Sequence, residues 1–172
     1  MTSEGVTKPA PFRVVLLEPE IPPNTGNIGR LCAATGAELH LVEPLGFDLD
    51  DRQLRRAGMD YWAQVRWFRW RDWAAFREGI GAGPRLWLVE QGAPRGYHAV
   101  RYQPGDCLVF GRETSGLPRS LLESNPAGWI DIPMANPAAR SLNLANCVAI
   151  VLYEALRQGG FGEVAPGSGP DV

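Results

Sequence analysis

Short apolar runs closed by proline or glycine alternate along this chain with stretches of helical spacing. The run Phe12-Arg13-Val14-Val15-Leu16-Leu17, ended by Pro19, reads as a buried first strand. Pro22-Pro23-Asn24 then stops the strand and supplies a helix cap, and Ile28, Leu31, Cys32 and Ala34 keep helical spacing up to Gly36. Residues 38–42 form a second strand, closed by Pro44 and Gly46. Strand, helix, strand with short connections is a parallel unit. The unit recurs: a short helix over 51–56, a strand over 65–68, a helix over 72–78, strands over 85–89 and 107–110. A helix over 117–122, a strand over 129–132 and a last helix over 142–158 complete the series. The alternation predicts an α/β fold, a mostly parallel sheet with helices on both faces.

The last helix is apolar nearly all round, from Leu144 through Val148, Val151 and Leu152 to Leu156. Such a helix must be covered on more than one side. In a domain this small a second copy of the chain is the natural cover, so a homodimer is expected. Trp62, Trp67, Trp70, Trp73 and Phe76 read as core and helix packing rather than as a base-stacking platform. Residues 1–11 read as a flexible lead, 12–158 as one domain and 159–172 as a disordered tail rich in Gly and Pro.

At 172 residues the chain is long enough to bury a core without disulfides. It has no apolar run of membrane length and no signal-peptide shape, and Cys32, Cys107 and Cys147 have the spacing of reduced, buried thiols; all three features point to the cytoplasm. Only His40 and His98 are present, so a histidine metal site or catalytic triad has little to build on, and no metal is expected. A net charge of −2 argues against a strongly basic nucleic-acid binder. Lys8 is the sole lysine, however, and Arg52, Arg55, Arg56, Arg66, Arg69 and Arg71 concentrate arginine in one segment. Arginine can fork onto phosphates, although a solvated face explains the same composition.

In a parallel sheet, ligands bind beyond the carboxyl ends of the strands. Three polar segments fall there: 18–30, 110–118 and 132–146. In the first, a proline turn and cap account for Asn24 but leave Asn27 and Arg30 unexplained. In the second, Gly111 directly after a strand allows close approach to the backbone, while Glu113 alone reads as a helix-start charge. In the third, Arg140, Ser141, Asn143 and Asn146 crowd into one turn, where a single helix cap needs only one of them. The chain lacks a phosphate-binding Gly-x-x-x-x-Gly-Lys-Ser/Thr and a Gly-x-Ser-x-Gly. Its one Gly-x-Gly-x-x-Ala, at 160–165, follows a helix rather than a strand. P-loop, dinucleotide-binding and α/β-hydrolase readings are therefore disfavoured.

Taken together, these motifs resemble the SPOUT superfamily of knotted RNA methyltransferases, in particular the small TrmL/YibK-type enzymes. The motifs are Leu17-Glu18-Pro19-Glu20-Ile21-Pro22-Pro23-Asn24-Thr25-Gly26-Asn27-Ile28-Gly29-Arg30-Leu31-Cys32, then Leu54-Arg55-Arg56-Ala57-Gly58-Met59-Asp60-Tyr61, Phe110-Gly111-x-Glu113-Thr114, and Arg140-Ser141-Leu142-Asn143-Leu144-x-Asn146. The resemblance spans residues 14–158. It implies an α/β sheet whose C-terminal part threads a deep trefoil knot, a homodimer, and S-adenosylmethionine as methyl donor, leaving S-adenosylhomocysteine. The implied reaction is methylation of the ribose 2′-hydroxyl of the wobble nucleotide, cytidine or uridine 34, of tRNA.

The resemblance also places roles. Arg30, Glu113, Ser141 and Asn143 match catalytic positions. Gly111, Ile132, Ser141 and Leu142 match cofactor contacts, with a further contact at Leu88 or Val89. Arg55, Arg56 and Arg140 are the expected RNA contacts, holding the anticodon stem-loop. The chain departs from the pattern at Arg112, where proline is usual, and at Ala139 and Ala145, where serines are often found; the 134–140 loop is one residue longer. The alternatives are the same chemistry on another RNA such as ribosomal RNA, and a non-catalytic RNA-binding module. The second predicts loss of the Arg30, Ser141 or Asn143 residue types, and all are present.

Overall fold

The computed structural model describes residues 11–49, 62–136 and 138–161. The expected helix at 51–56, residues 1–10 of the lead and residues 162–172 of the tail lie outside them. Among the described residues six strands form one sheet in which every pairing is parallel: β1 (Arg13–Leu17), β2 (Glu38–Val42), β3 (Trp67–Trp70), β4 (Leu86–Val89), β5 (Cys107–Phe110) and β6 (Trp129–Ile130). Their order across the sheet is β3-β2-β1-β5-β4-β6. The helices are α1 (Pro22–Thr35), α2 (Trp73–Ile80), α3 (Arg119–Ser124) and α4 (Leu144–Gln158).

Alternation along the strands divides the core. Val14, Leu16, Leu39, Leu41, Trp87, Leu108 and Phe110 face α1 and α4, meeting Ile28, Cys32, Val148, Val151 and Leu152. Their neighbours Val15, Leu17, Val42, Leu88, Cys107 and Val109 face the other way, onto Phe76 of α2 and Leu121 and Leu122 of α3. Both faces are thus covered, as near-continuous apolar strands require. From β1 the chain moves outward one way through β2 and β3, while β5, β4 and β6 lie on the other side. The boundary between β1 and β5 is a topological switch point, and loops leaving the carboxyl ends of these strands border a natural crevice.

Element boundaries differ from the sequence reading for local reasons. Asn24 does not cap α1; Ile21 occupies that position without a side-chain bond, and Pro22 and Pro23 remove two N–H groups that would otherwise need partners. Helix α3 starts at Arg119 rather than 117, because Leu117 precedes Pro118 and is steered away from helical angles. Strand β3 starts at Trp67, since Val65 is already buried and hydrogen-bonded back to Trp62 of a preceding 3-10 turn. Strand β6 ends at Ile130, with Asp131 forming only an isolated bridge to Gly96. The last helix starts at Leu144 because Asn143 accepts from Ala145 N and Asn146 N at 2.9 and 3.4 Å. Gly36 ends α1 at φ 73°, the left-handed conformation that favours glycine.

The aromatic residues pack as expected. Trp62 lies against Trp67 at 5.1 Å, and Trp73 against Phe76 at 5.1 Å. His40, only 3% exposed, stacks on Phe68 at 4.8 Å and accepts from Trp70 Nε1 on Nδ1 at 3.0 Å. Its Nε2 faces Glu38 Oε2 at 3.4 Å. Desolvation drives the His40 pKa down to about 4 against the opposing pull of Glu38. The unfolded chain, with an ordinary histidine near 6.5, therefore takes up a proton that the native state refuses. This stabilising contribution is complete above pH 6.5 and is lost as pH falls toward 4, amounting to about 3 kcal/mol. Urea unfolding at pH 4 to 7 should show stability falling with pH across that window, and His40→Gln should flatten the slope. An unchanged slope in the variant would exonerate His40.

Candidate active site

The three loops singled out by sequence converge at the β1/β5 switch point. They border a cavity of about 740 Å³ whose wall includes Ile21 and Asn24, the turn 111–116, and the segment 140–144. A chain of side chains ties them together. The Glu113 carboxylate accepts from Glu20 N (2.8 Å), Ile21 N (3.2 Å) and Asn24 Nδ2 (3.1 Å). Asn24 Oδ1 in turn accepts from Asn143 Nδ2 at 2.9 Å, and Asn143 Oδ1 caps α4. From the turn after β5, Glu113 thus holds the residues entering α1, Glu20 and Ile21, and it sets a negative charge beside that helix N-terminus. Glu20 returns the contact, its carboxylate accepting from Thr114 N at 3.0 Å and from Thr114 Oγ1.

The turn after β5 is closed on itself, with Arg112 N donating to Gly116 O (3.2 Å) and Gly116 N to Arg112 O (2.9 Å). Gly116 has φ 67°, and a Cβ at Gly111 would stand 2.2 Å from the Gly116 carbonyl carbon. Glu90, directly after β4, braces this turn by accepting from Leu117 N at 2.8 Å. Gln91 Nε2 donates to Arg140 O at 2.7 Å and so anchors the third segment. Apolar wall is provided by Val89, Ile132, Leu142, Leu144 and Cys147. Burial raises the Cys147 pKa to about 11, so its thiol is neutral at pH 7.

Of the residues expected from sequence, Val89, Gly111, Glu113, Ile132, Arg140, Ser141, Leu142 and Asn143 line this cavity. Leu88 does not: the strand alternation buries it completely on the α2/α3 face of the sheet, and its neighbour Val89 faces the cavity instead. Arg30 is exposed, six residues along α1 from Asn24, and is not part of the cavity wall. Arg55 and Arg56, like Arg52, lie outside the described residues. In the rest of the basic segment, Arg66 pairs with Glu38, Arg69 with Glu43 and Arg71 with Asp72, which neutralises much of its charge.

Sequence reading missed Asn24 as a linker, and it missed Glu90 and Gln91 altogether. Applying the strand-end rule to β4 as well as β1 and β5 would have found the last two. The cavity suits a nucleoside-sized ligand: its volume is in the usual range for small-molecule sites, and apolar walls sit beside hydrogen-bonding groups. Among the described residues there is no group of three or more His, Cys, Asp or Glu side chains that could hold a metal ion.

Among known proteins, the profile of the SpoU rRNA Methylase family matches residues 11–153. The tRNA (cytidine(34)-2'-O)-methyltransferase of Escherichia coli (strain K12) is 52% identical over 151 residues, covering 87% of this chain and 95% of the relative. A solved structure concerned with 2-OH methylation of C/U34 on tRNA is 41% identical with a TM-score of 0.83, covering 90% of this chain and 94% of that one. An AdoMet-bound rRNA methyltransferase from Sinorhizobium meliloti is 28% identical with a TM-score of 0.76. It covers 87% of this chain, which spans 57% of that longer protein.

Proposed function

This chain belongs to the SpoU rRNA methylase family, and on that premise we propose that it methylates the ribose 2′-hydroxyl of nucleotide 34 in tRNA, using S-adenosylmethionine. The observation that carries the reading is the Glu113–Asn24–Asn143 chain, which brings three loops distant in sequence around one cavity. The family's fold implies the C-terminal trefoil knot. As substrate, tRNA is favoured over ribosomal RNA. The relative named for cytidine 34 matches along nearly its whole length, whereas the rRNA enzyme is much longer than this chain.

When bound, S-adenosylmethionine supplies an electrophilic methyl group on a cationic sulfur. Val89, Ile132 and Leu142 would hold its apolar parts, with the backbone about Gly111 at its edge. The Ser141 hydroxyl, exposed on the cavity wall, is available to the methionine end. Glu113 and Asn143 act by position: their polar atoms are already committed to the N-termini of α1 and α4. A ribose hydroxyl is a poor nucleophile at neutral pH and needs help as its oxyanion forms. Arg30, outside the cofactor cavity, meets the RNA side, where its fork clamps the neighbouring phosphate and the developing oxyanion. Excluding water and aligning the two reactants account for much of the remaining acceleration.

Arg140, and Arg55 and Arg56 before β3, hold the anticodon stem-loop. Two copies of the chain share in this. Tyr153 on α4 is 47% exposed beside Phe161 at 44%, an apolar surface suited to a homodimer. No described helix is long and apolar enough to cross a membrane, and the enzyme works in the cytoplasm, where its substrate is. Incubation with labelled cofactor and total tRNA, followed by mass spectrometry of the product, should place the methyl on the ribose of cytidine or uridine 34. Label at another nucleotide, or only in ribosomal RNA, would overturn the substrate assignment.

A further inference from the structure

Two arginines stand in the cavity wall among the described residues, Arg140 and Arg112. Arg112 is where this chain departs from the usual pattern of its second motif. Its backbone is fixed at both ends, by the paired bonds to Gly116, while its side chain stays 42% exposed and ion-paired to Glu18. Glu18 is itself held by its own N–H donating to Val42 O at 2.8 Å, with its backbone at φ 55°. The pair therefore bridges the β1 and β5 loops directly over the switch point.

The other carboxylates around the mouth are already engaged. Glu113 receives two backbone N–H groups and Asn24, Glu20 receives Thr114, Glu90 receives Leu117 and Gln91, and Asp131 receives Gly92. They still present negative charge to any polyanion that enters. An RNA phosphate approaching this site therefore needs a cation at the rim whose present partner it can replace. Arg112 is 42% and Glu18 23% exposed, so solvent and salt reach the pair and screen it more than they do the carboxylate-to-backbone bonds. A guanidinium matches phosphate with two parallel N–H groups, so exchanging Glu18 for phosphate keeps its bonding intact.

We propose that Arg112 is a phosphate contact for the RNA substrate, masked by Glu18 until the RNA backbone displaces that carboxylate. The proposal rests on the tRNA methyltransferase reading above and adds a substrate contact to the same site.

The test is binding of an unmodified tRNA transcript carrying C34 over a range of salt concentrations, with S-adenosylhomocysteine binding measured in parallel. Arg112→Ala should weaken tRNA binding about fivefold or more and lower the slope of log affinity against log salt by about one. Its effect on S-adenosylhomocysteine binding should be at least severalfold smaller than its effect on tRNA binding. Glu18→Gln should act with the opposite sign, tightening tRNA binding about two- to fivefold at low salt. Wild-type tRNA affinity and salt slope in Arg112→Ala would overturn the proposal. So would equal weakening of both ligands by Glu18→Gln and Arg112→Ala, the result expected of a clamp that only holds the loops. Methyl transfer by the wild-type chain, assayed alongside, separates the levels. Transfer to tRNA with unaltered Arg112→Ala binding removes the phosphate contact alone, and absence of any transfer to tRNA removes the functional reading.

Discussion

Gly111→Ala is expected to weaken S-adenosylhomocysteine binding by at least about 100-fold, or about 2.7 kcal/mol. A Cβ there would stand 2.2 Å from the Gly116 carbonyl carbon and 2.4 Å from Leu117 N. Both obstacles are backbone, so no side chain can swing aside. On its other side the turn is tied to Glu90, whose carboxylate accepts from Leu117 N at 2.8 Å. The turn has to open, breaking the paired bonds between Arg112 and Gly116 and displacing the wall that carries Glu113. Gly83→Ala is the matched control, since nothing lies within 4 Å of its Cβ position. Calorimetry on both variants, with thermal melts to confirm folding, reads the effect. Binding by Gly111→Ala within a few-fold of wild type would show that the turn relaxes without disturbing the cavity.

Arg30→Lys is expected to slow methyl transfer by about 100-fold or more, which is about 2.7 kcal/mol of transition-state stabilisation. Lysine keeps the charge but loses the planar fork that can meet a phosphate and a developing oxyanion together. Arg30 lies outside the cavity wall, six residues from Asn24 along α1, or about 9 Å at 1.5 Å rise per residue. S-adenosylhomocysteine affinity should therefore hold while single-turnover transfer to tRNA falls. A transfer rate within threefold of wild type would remove Arg30 from the chemical step. A parallel loss of cofactor affinity would instead make it a support for the cavity.

The strands were legible because their signals are local. The apolar runs 12–17, 38–42 and 107–110 fall on β1, β2 and β5 to within one residue, and the parallel α/β class follows from their alternation with helices. The boundaries that shifted depended on single contacts the pattern does not carry. Pro118 delays α3, and Asn143 delays α4 by capping it. Among candidate site residues, the β5 turn and the 140–143 segment were readable as unusual polar density after a strand or before an apolar helix. Leu88 and Val89 were not separable by motif matching, because a one-residue uncertainty in a strand reverses which face a side chain takes. Only the sheet register decided between them.

The sequence by itself determined the kind of protein this is: apolar period and turn chemistry are set by neighbouring residues, and the long motifs identify the family. It also marked the three polar loops as candidates. What only the tertiary structure decided is how those loops are joined. Asn24, readable as a cap, is a link between Glu113 and Asn143, residues 89 and 119 positions away. Arg112, readable as a lone departure, is an ion-pair partner of Glu18, 94 positions away. Such contacts arise because β1 and β5 lie side by side in the sheet, a pairing set by global packing that no local stretch of sequence encodes.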